Sequence, residues 1–143
     1  MVTHVKYPNR RYDMLYQIKK LSNFEMQKKE WVVSEYNPKC PCIFSGNMRF
    51  PAEMLLDEGD LDKIECAVGK VDWWFYSEEE ALKVHKVASS LKKVTNTIGY
   101  DKPDLEYLTS PLWQEVVQAA KEAYDYIMTY EDMDDLLRQC REE

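Results

Sequence analysis

At 143 residues and 17.0 kDa, with 45% hydrophobic and 31% charged residues, the chain has the composition of one globular domain. That length suffices to bury about 68 to 70% of the unfolded surface, and a net charge of −7 argues against non-specific nucleic-acid binding, which needs Lys and Arg to neutralise phosphates. No apolar run approaches the roughly 20 residues that span a bilayer, and Met1 to Tyr7 lacks the apolar core of a signal peptide, so a cytoplasmic protein with no membrane partner is expected.

After the entry His4 to Tyr7, Pro8-Asn9 reads as a turn, with Asn9 as cap of a first helix whose apolar stripe is Met14, Leu15, Ile18 and Leu21. Ser22 and Glu25 have capping-box spacing and predict a restart, with Phe24, Trp31 and Val32 on the buried side. Asn37-Pro38, Cys40-Pro41-Cys42 and Ser45-Gly46-Asn47 break every period, which makes residues 36–49 an irregular loop. Pro51 suits the first turn of a short helix carrying Met54, Leu55 and Leu56 and ending at Gly59. Asp60 then caps another, carrying Leu61, Ile64 and Val68 and stopping at Gly69.

Four consecutive aromatic residues, Trp73, Trp74, Phe75 and Tyr76, precede the longest clean helical period and have to pack on something, since large rings bury about 150 to 250 Å² each. Ser77 and Glu80 form a capping box, Glu78 to Glu80 favour the positive end of the helix dipole, and Val84, Val87, Ala88, Leu91, Val94 and Ile98 repeat at three and four residues. Gly99 supplies the stop. Leu105 to Leu108 hold at most a turn of helix, and Ser110-Pro111 starts the next, with Trp113, Val116, Val117, Ala120, Tyr124 and Ile127 as its stripe. Met133, Leu136, Leu137 and Cys140 keep helical spacing about half a turn away, which predicts a break near Thr129, with Thr129 and Asp132 as a cap. The expected fold is an all-α single domain over residues 1–143, a bundle of five to seven helices in which the Ser77–Ile98 helix packs on the Pro111–Met128 helix.

Chemistry finds little purchase. Cys40-Pro41-Cys42 resembles half a zinc motif, but the second pair of ligands is missing: Cys66, Cys140, His4 and His85 are scattered. No metal or cofactor is expected, and the four cysteines are expected to stay reduced. A thiol nucleophile on that loop would need His85 as its base, whereas His85 fits a boundary histidine with a structural hydrogen bond. Glu78, Glu79 and Glu80 are explained by the helix start. There is no Gly-rich phosphate loop, Gly-x-Ser-x-Gly elbow or His-Glu-x-x-His pattern, and no catalytic residue is assigned.

The charge is unevenly spread. Residues 1–50 carry nine Lys or Arg against four Asp or Glu, residues 51–99 six against ten, and residues 100–143 four against twelve. The back of the chain therefore suits a basic partner. Asp125, Glu131, Asp132, Asp134 and Asp135 would supply its charge, with Tyr126 and Tyr130 as contact area, a common interface composition; a solvated face is the plainer account of the same run.

The opening Tyr7-Pro-Asn-Arg-Arg-Tyr-Asp-Met-Leu-Tyr-Gln-Ile, with Tyr100-Asp-Lys-Pro-Asp and the Ser110-Pro-Leu-Trp helix start, resembles small acidic bacterial immunity proteins of polymorphic or contact-dependent growth-inhibition toxins. The resemblance implies a non-catalytic protein that binds a basic toxin domain, such as a nuclease, and covers its active or substrate-binding surface. No family site residue carries over. The alternatives are a small metal- or thiol-dependent enzyme built on Cys40, Cys42 and His85, and a homodimer or larger homo-oligomer in which the basic front meets the acidic back.

Overall fold

A computed structural model describes residues 5–31, 49–99, 102 and 104–141. Eight helices lie among them: α1 (Pro8–Leu21), α2 (Phe24–Met26, continued by a π-helical stretch Gln27–Trp31), α3 (Arg49–Ala52, continued by a π-helical stretch Glu53–Glu58), α4 (Ile64–Val68), α5 (Glu78–Ile98), α6 (Asp104–Leu108), α7 (Pro111–Met128) and α8 (Met133–Arg141). The fold is all-α. The count exceeds the expected five to seven because the stretch expected to hold at most a turn of helix forms a helix of its own, Asp104–Leu108. Most of the loop expected over residues 36–49, including Cys40 and Cys42, lies outside the described residues, as do His4, Val32 and the Trp31 side chain.

The antiparallel partners α5 and α7 make the most extensive helix pairing, as their stripes predict. From α5, Val84, Val87, Ala88, Leu91 and Val94 are fully enclosed; from α7, Trp113, Val116, Ala120, Ala123 and Ile127 meet them. Alanines at 119, 120 and 123 let the two backbones come close. Against α7 lies α1, burying Met14, Leu15, Ile18 and Leu21, and α8 packs on α1 in turn. The break between α7 and α8 is what allows Leu136, on the rotated stripe, to return to the core.

Local start and stop signals hold in part. Ser77 Oγ accepts the Glu80 N–H at 3.2 Å, and Ser110 Oγ accepts the Leu112 N–H at 3.2 Å. Four caps differ from expectation. The first helix begins at Pro8, so Asn9 lies inside it and Tyr7 occupies the cap without a side-chain bond, Pro needing none at that position. The restart is capped by Asn23, whose Oδ1 accepts the Met26 N–H at 3.0 Å, while Ser22 Oγ donates to the Lys19 carbonyl. Asp60 adopts a left-handed φ of 49° in the preceding turn, so α4 starts only at Ile64. Asp132 rather than Thr129 caps α8, its Oδ1 accepting the Asp134 N–H at 2.9 Å and the Asp135 N–H at 3.3 Å.

Candidate functional site

Glu80 and Arg11 carry the most telling geometry. In the capping box expected at Ser77 the Glu80 carboxylate would return to the Ser77 N–H; instead Oε1 accepts the Tyr76 N–H at 3.1 Å and the carboxylate turns inward. There it meets Arg11, which occupies the core side of α1 one turn before Met14 and Leu15. Both side chains are completely enclosed. Arg11 Nη1 donates to Glu80 Oε1 and, at 2.9 Å, to the Trp74 carbonyl; Nη2 donates to Glu80 Oε2 at 3.1 Å; Nε donates to Glu131 Oε1 at 2.8 Å. The guanidinium also lies 3.6 Å from the centre of the Tyr76 ring, a stacked arrangement that Lys could not reproduce.

Two phenols complete the network. Tyr76 donates to Glu131 Oε1 at 2.9 Å and Tyr130 donates to Glu80 Oε2. Glu131 Oε2 accepts the Asp132 N–H at 3.2 Å. Burial opposes the Arg11 charge, yet bonds and charges from Glu80 and then Glu131 outweigh it and hold the guanidinium above its ordinary range. Burial pushes the Tyr76 and Tyr130 phenols above the ordinary tyrosine value, and the carboxylates they donate to push further. Every carboxylate oxygen already accepts a bond, and both phenolic protons are committed. Both Glu80 oxygens and Glu131 Oε1 accept two bonds each, while Glu131 Oε2 accepts one. The cluster holds the start of α1, the 71–76 turn, the start of α5 and the α7–α8 break at one end of the molecule.

The sequence-predicted surface is sorted by that convergence. Asp125, Asp132, Asp134 and Asp135 are exposed. Tyr126 is half-buried: its hydroxyl bonds Glu79, which raises the phenol's pKa, and Lys83 Nζ lies 4.8 Å from its ring. Tyr130 and Glu131 face inward as members of the buried network, the Glu131 side chain being only 7% exposed. Glu78 and Glu79, exposed on the first turn of α5, join the outward set; the helix cap alone did not reveal that they stand beside the acids of the α7–α8 break. One end of the molecule thus displays Glu78, Glu79, Asp125, Asp132, Asp134 and Asp135, drawn from three separate segments.

His85 Nδ1 lies 2.8 Å from the Leu61 carbonyl, which can only accept, so Nδ1 carries a proton, and Nε2 lies 3.3 Å from Ser89 Oγ. Cys66 and Cys140 are in no disulfide, and among the described residues no group of three or more His, Cys, Asp or Glu is placed to hold a metal ion. A shallow groove of about 240 Å³ between α5 and α7 is spanned by the Lys86–Glu122 ion pair at 3.4 Å. No helix among the described residues is long and apolar enough to cross a membrane.

A family model described as a domain of unknown function (DUF7945) matches residues 5–136. No curated protein and no solved structure matches the chain.

Proposed function

The chain belongs to the DUF7945 family, and we propose that it is a non-catalytic protein-binding protein of the immunity type, cytoplasmic and bacterial, whose acidic end covers a basic toxin domain such as a nuclease. The observation that carries this is the gathering of Glu78, Glu79, Asp125, Asp132, Asp134 and Asp135 at one end, around a buried ion-pair network that holds the segments bearing them. Concentrated like charge destabilises a surface unless something offsets it. Here the first turns of α5 and α8 place Glu78, Glu79, Asp134 and Asp135 at positive helix ends. A negative field so anchored steers a basic partner and orients its docking.

The tagged protein, incubated with lysate of its own source at low and moderate salt, should retain one basic protein in stoichiometric amount. With that partner purified, Asp134→Lys together with Asp135→Lys should slow association and weaken binding, the loss shrinking as salt rises. Unchanged association rate and unchanged salt dependence would place the interface elsewhere.

A further inference from the structure

Of the four consecutive aromatic residues, Trp74, Phe75 and Tyr76 are buried, but Trp73 is 48% exposed and is met by Tyr7, itself 40% exposed. Their rings stand edge to face, 6.2 Å apart at 90°. The pair is built into the backbone: the Lys6 N–H donates to the Asp72 carbonyl at 2.9 Å, and the Tyr7 N–H to the Trp73 carbonyl at 3.0 Å. Asp72 holds a left-handed φ of 74°, and its own N–H is tied to the Phe75 carbonyl at 2.8 Å, so the turn presenting Trp73 is fixed. Above this pair sits a cation. Lys6 Nζ lies 5.5 Å from the centre of Tyr7 and 5.8 Å from that of Trp73, within cation–π range of both rings.

We propose that the exposed Tyr7–Trp73 ring pair is a receptor for an arginine side chain on a basic protein partner, covered in the free protein by Lys6 as a placeholder. The ring pair shares the acidic end: the Tyr7 carbonyl accepts from the Arg11 N–H at 3.1 Å, and Arg11 reaches the Trp74 carbonyl and Glu131. A basic surface drawn to Asp132, Asp134 and Asp135 therefore arrives beside it. A guanidinium is planar, less strongly hydrated than an ammonium and stacks on aromatic faces, so arginine displaces Lys6 where another lysine gains nothing. Exposed Trp and Tyr are also the side chains that anchor protein interfaces. The proposal rests on the acidic-end reading and adds the contact that distinguishes one cation from another.

The test uses two probes, capped peptides of nine arginines and of nine lysines, titrated into the full chain at low salt while the indole N–H of Trp73 and the amides of Asp134 and Asp135 are followed by NMR. The arginine peptide should bind roughly three- to tenfold more tightly than the lysine peptide, moving the Trp73 indole signal along the same saturable curve as the acidic amides. Trp73→Ala should abolish that preference and Trp73→Phe should keep part of it. Lys6→Ala, which uncovers the ring pair, should tighten arginine binding more than Lys121→Ala, an equal change of charge on α7. Equal affinities for the two peptides, or a preference unaffected by Trp73→Ala and Lys6→Ala, would overturn the arginine receptor while leaving the acidic end in place. Failure of both peptides to bind would overturn the acidic-end reading and the receptor with it.

Discussion

Replacing Arg11 by Met keeps an unbranched apolar stem and removes the guanidinium and its charge. In the native protein the guanidinium makes four hydrogen bonds, two to Glu80, one to Glu131 and one to the Trp74 carbonyl. Without it two enclosed carboxylates face each other with no cation, Glu80 fully buried and Glu131 nearly so. Breaking a buried pair by removing one partner costs about 3 to 5 kcal/mol, because the other charge is left uncompensated. Against a total stability of about 5 to 15 kcal/mol, that is a large fraction. In urea, where m is about 1 to 3 kcal/mol per molar, the unfolding midpoint should fall by at least about 1 M. Adding Glu80→Gln and Glu131→Gln to Arg11→Met removes the buried negative charge and should restore at least half of the loss, a recovery that simple loss of packing could not produce. A cost below about 1 kcal/mol for Arg11→Met, or no recovery in the triple variant, would show that the network is not what holds the four segments together.

Three further outcomes follow from other contacts. Gly59→Ala would bring its Cβ to 2.9 Å from Leu61 Cγ, 3.0 Å from the Met54 carbonyl oxygen and 3.1 Å from Trp74 Cζ3, so the melting temperature should drop with a loss of about 1 to 3 kcal/mol. Gln27→Leu removes the Oε1 that accepts from Trp113 Nε1 at 2.8 Å and the Nε2 donor to the Leu21 carbonyl at 2.9 Å, while the Lys20 carbonyl keeps the Asn23 N–H; about 1 to 3 kcal/mol should be lost in denaturant titrations. Because Tyr76 and Tyr130 titrate above the usual tyrosine value of about 10, the unfolded chain releases these protons first as pH rises. Their contribution is intact below about pH 10 and is lost above it, so stability should decline there, and Tyr130→Phe should flatten the decline; phenolate absorbance checks the two late-titrating groups.

Elements set by short-range chemistry were legible: the Ser77 and Ser110 starts, the α5 and α7 stripes, and the break that turns Leu136 back to the core. Caps were less so where several polar residues compete for one helix end, as Ser22 and Asn23 do. The buried network escaped because each member has a satisfactory local explanation. Glu80 sits in a capped first turn, Arg11 in a basic stretch, Glu131 in an acidic run. A signal was present nonetheless. Arg11 is in phase with Met14, Leu15 and Ile18, and Glu80 with Val84, Val87 and Leu91, so each charge lies on the apolar stripe of its own helix. Opposite charges in phase with two core stripes predict a buried pair, since neither can be enclosed alone. What no periodicity supplies is the third partner: Glu131 reaches Arg11 only because the chain turns at residues 129–132, and that turn's direction is tertiary.

The same two segments show how neighbouring carboxylates divide their roles. At the start of α5, Glu79 points outward to Tyr126 while Glu80 points inward to Arg11; at the α7–α8 break, Asp132 is exposed while Glu131 bonds Arg11. Outer and inner acids are one peptide bond apart, yet Coulombic interactions at the surface are screened within about 8 to 10 Å of salt water and those inside are not. Glu79→Gln with Asp132→Asn, which keeps an oxygen to cap α8, should therefore change how fast a basic partner arrives and leave the unfolding midpoint nearly untouched. Neutralising Glu80 and Glu131 should change the midpoint and, by loosening the turn that places Asp132, Asp134 and Asp135, alter binding only as a consequence. The order of those two effects, measured on the same set of variants, separates a surface that recognises from a framework that positions it.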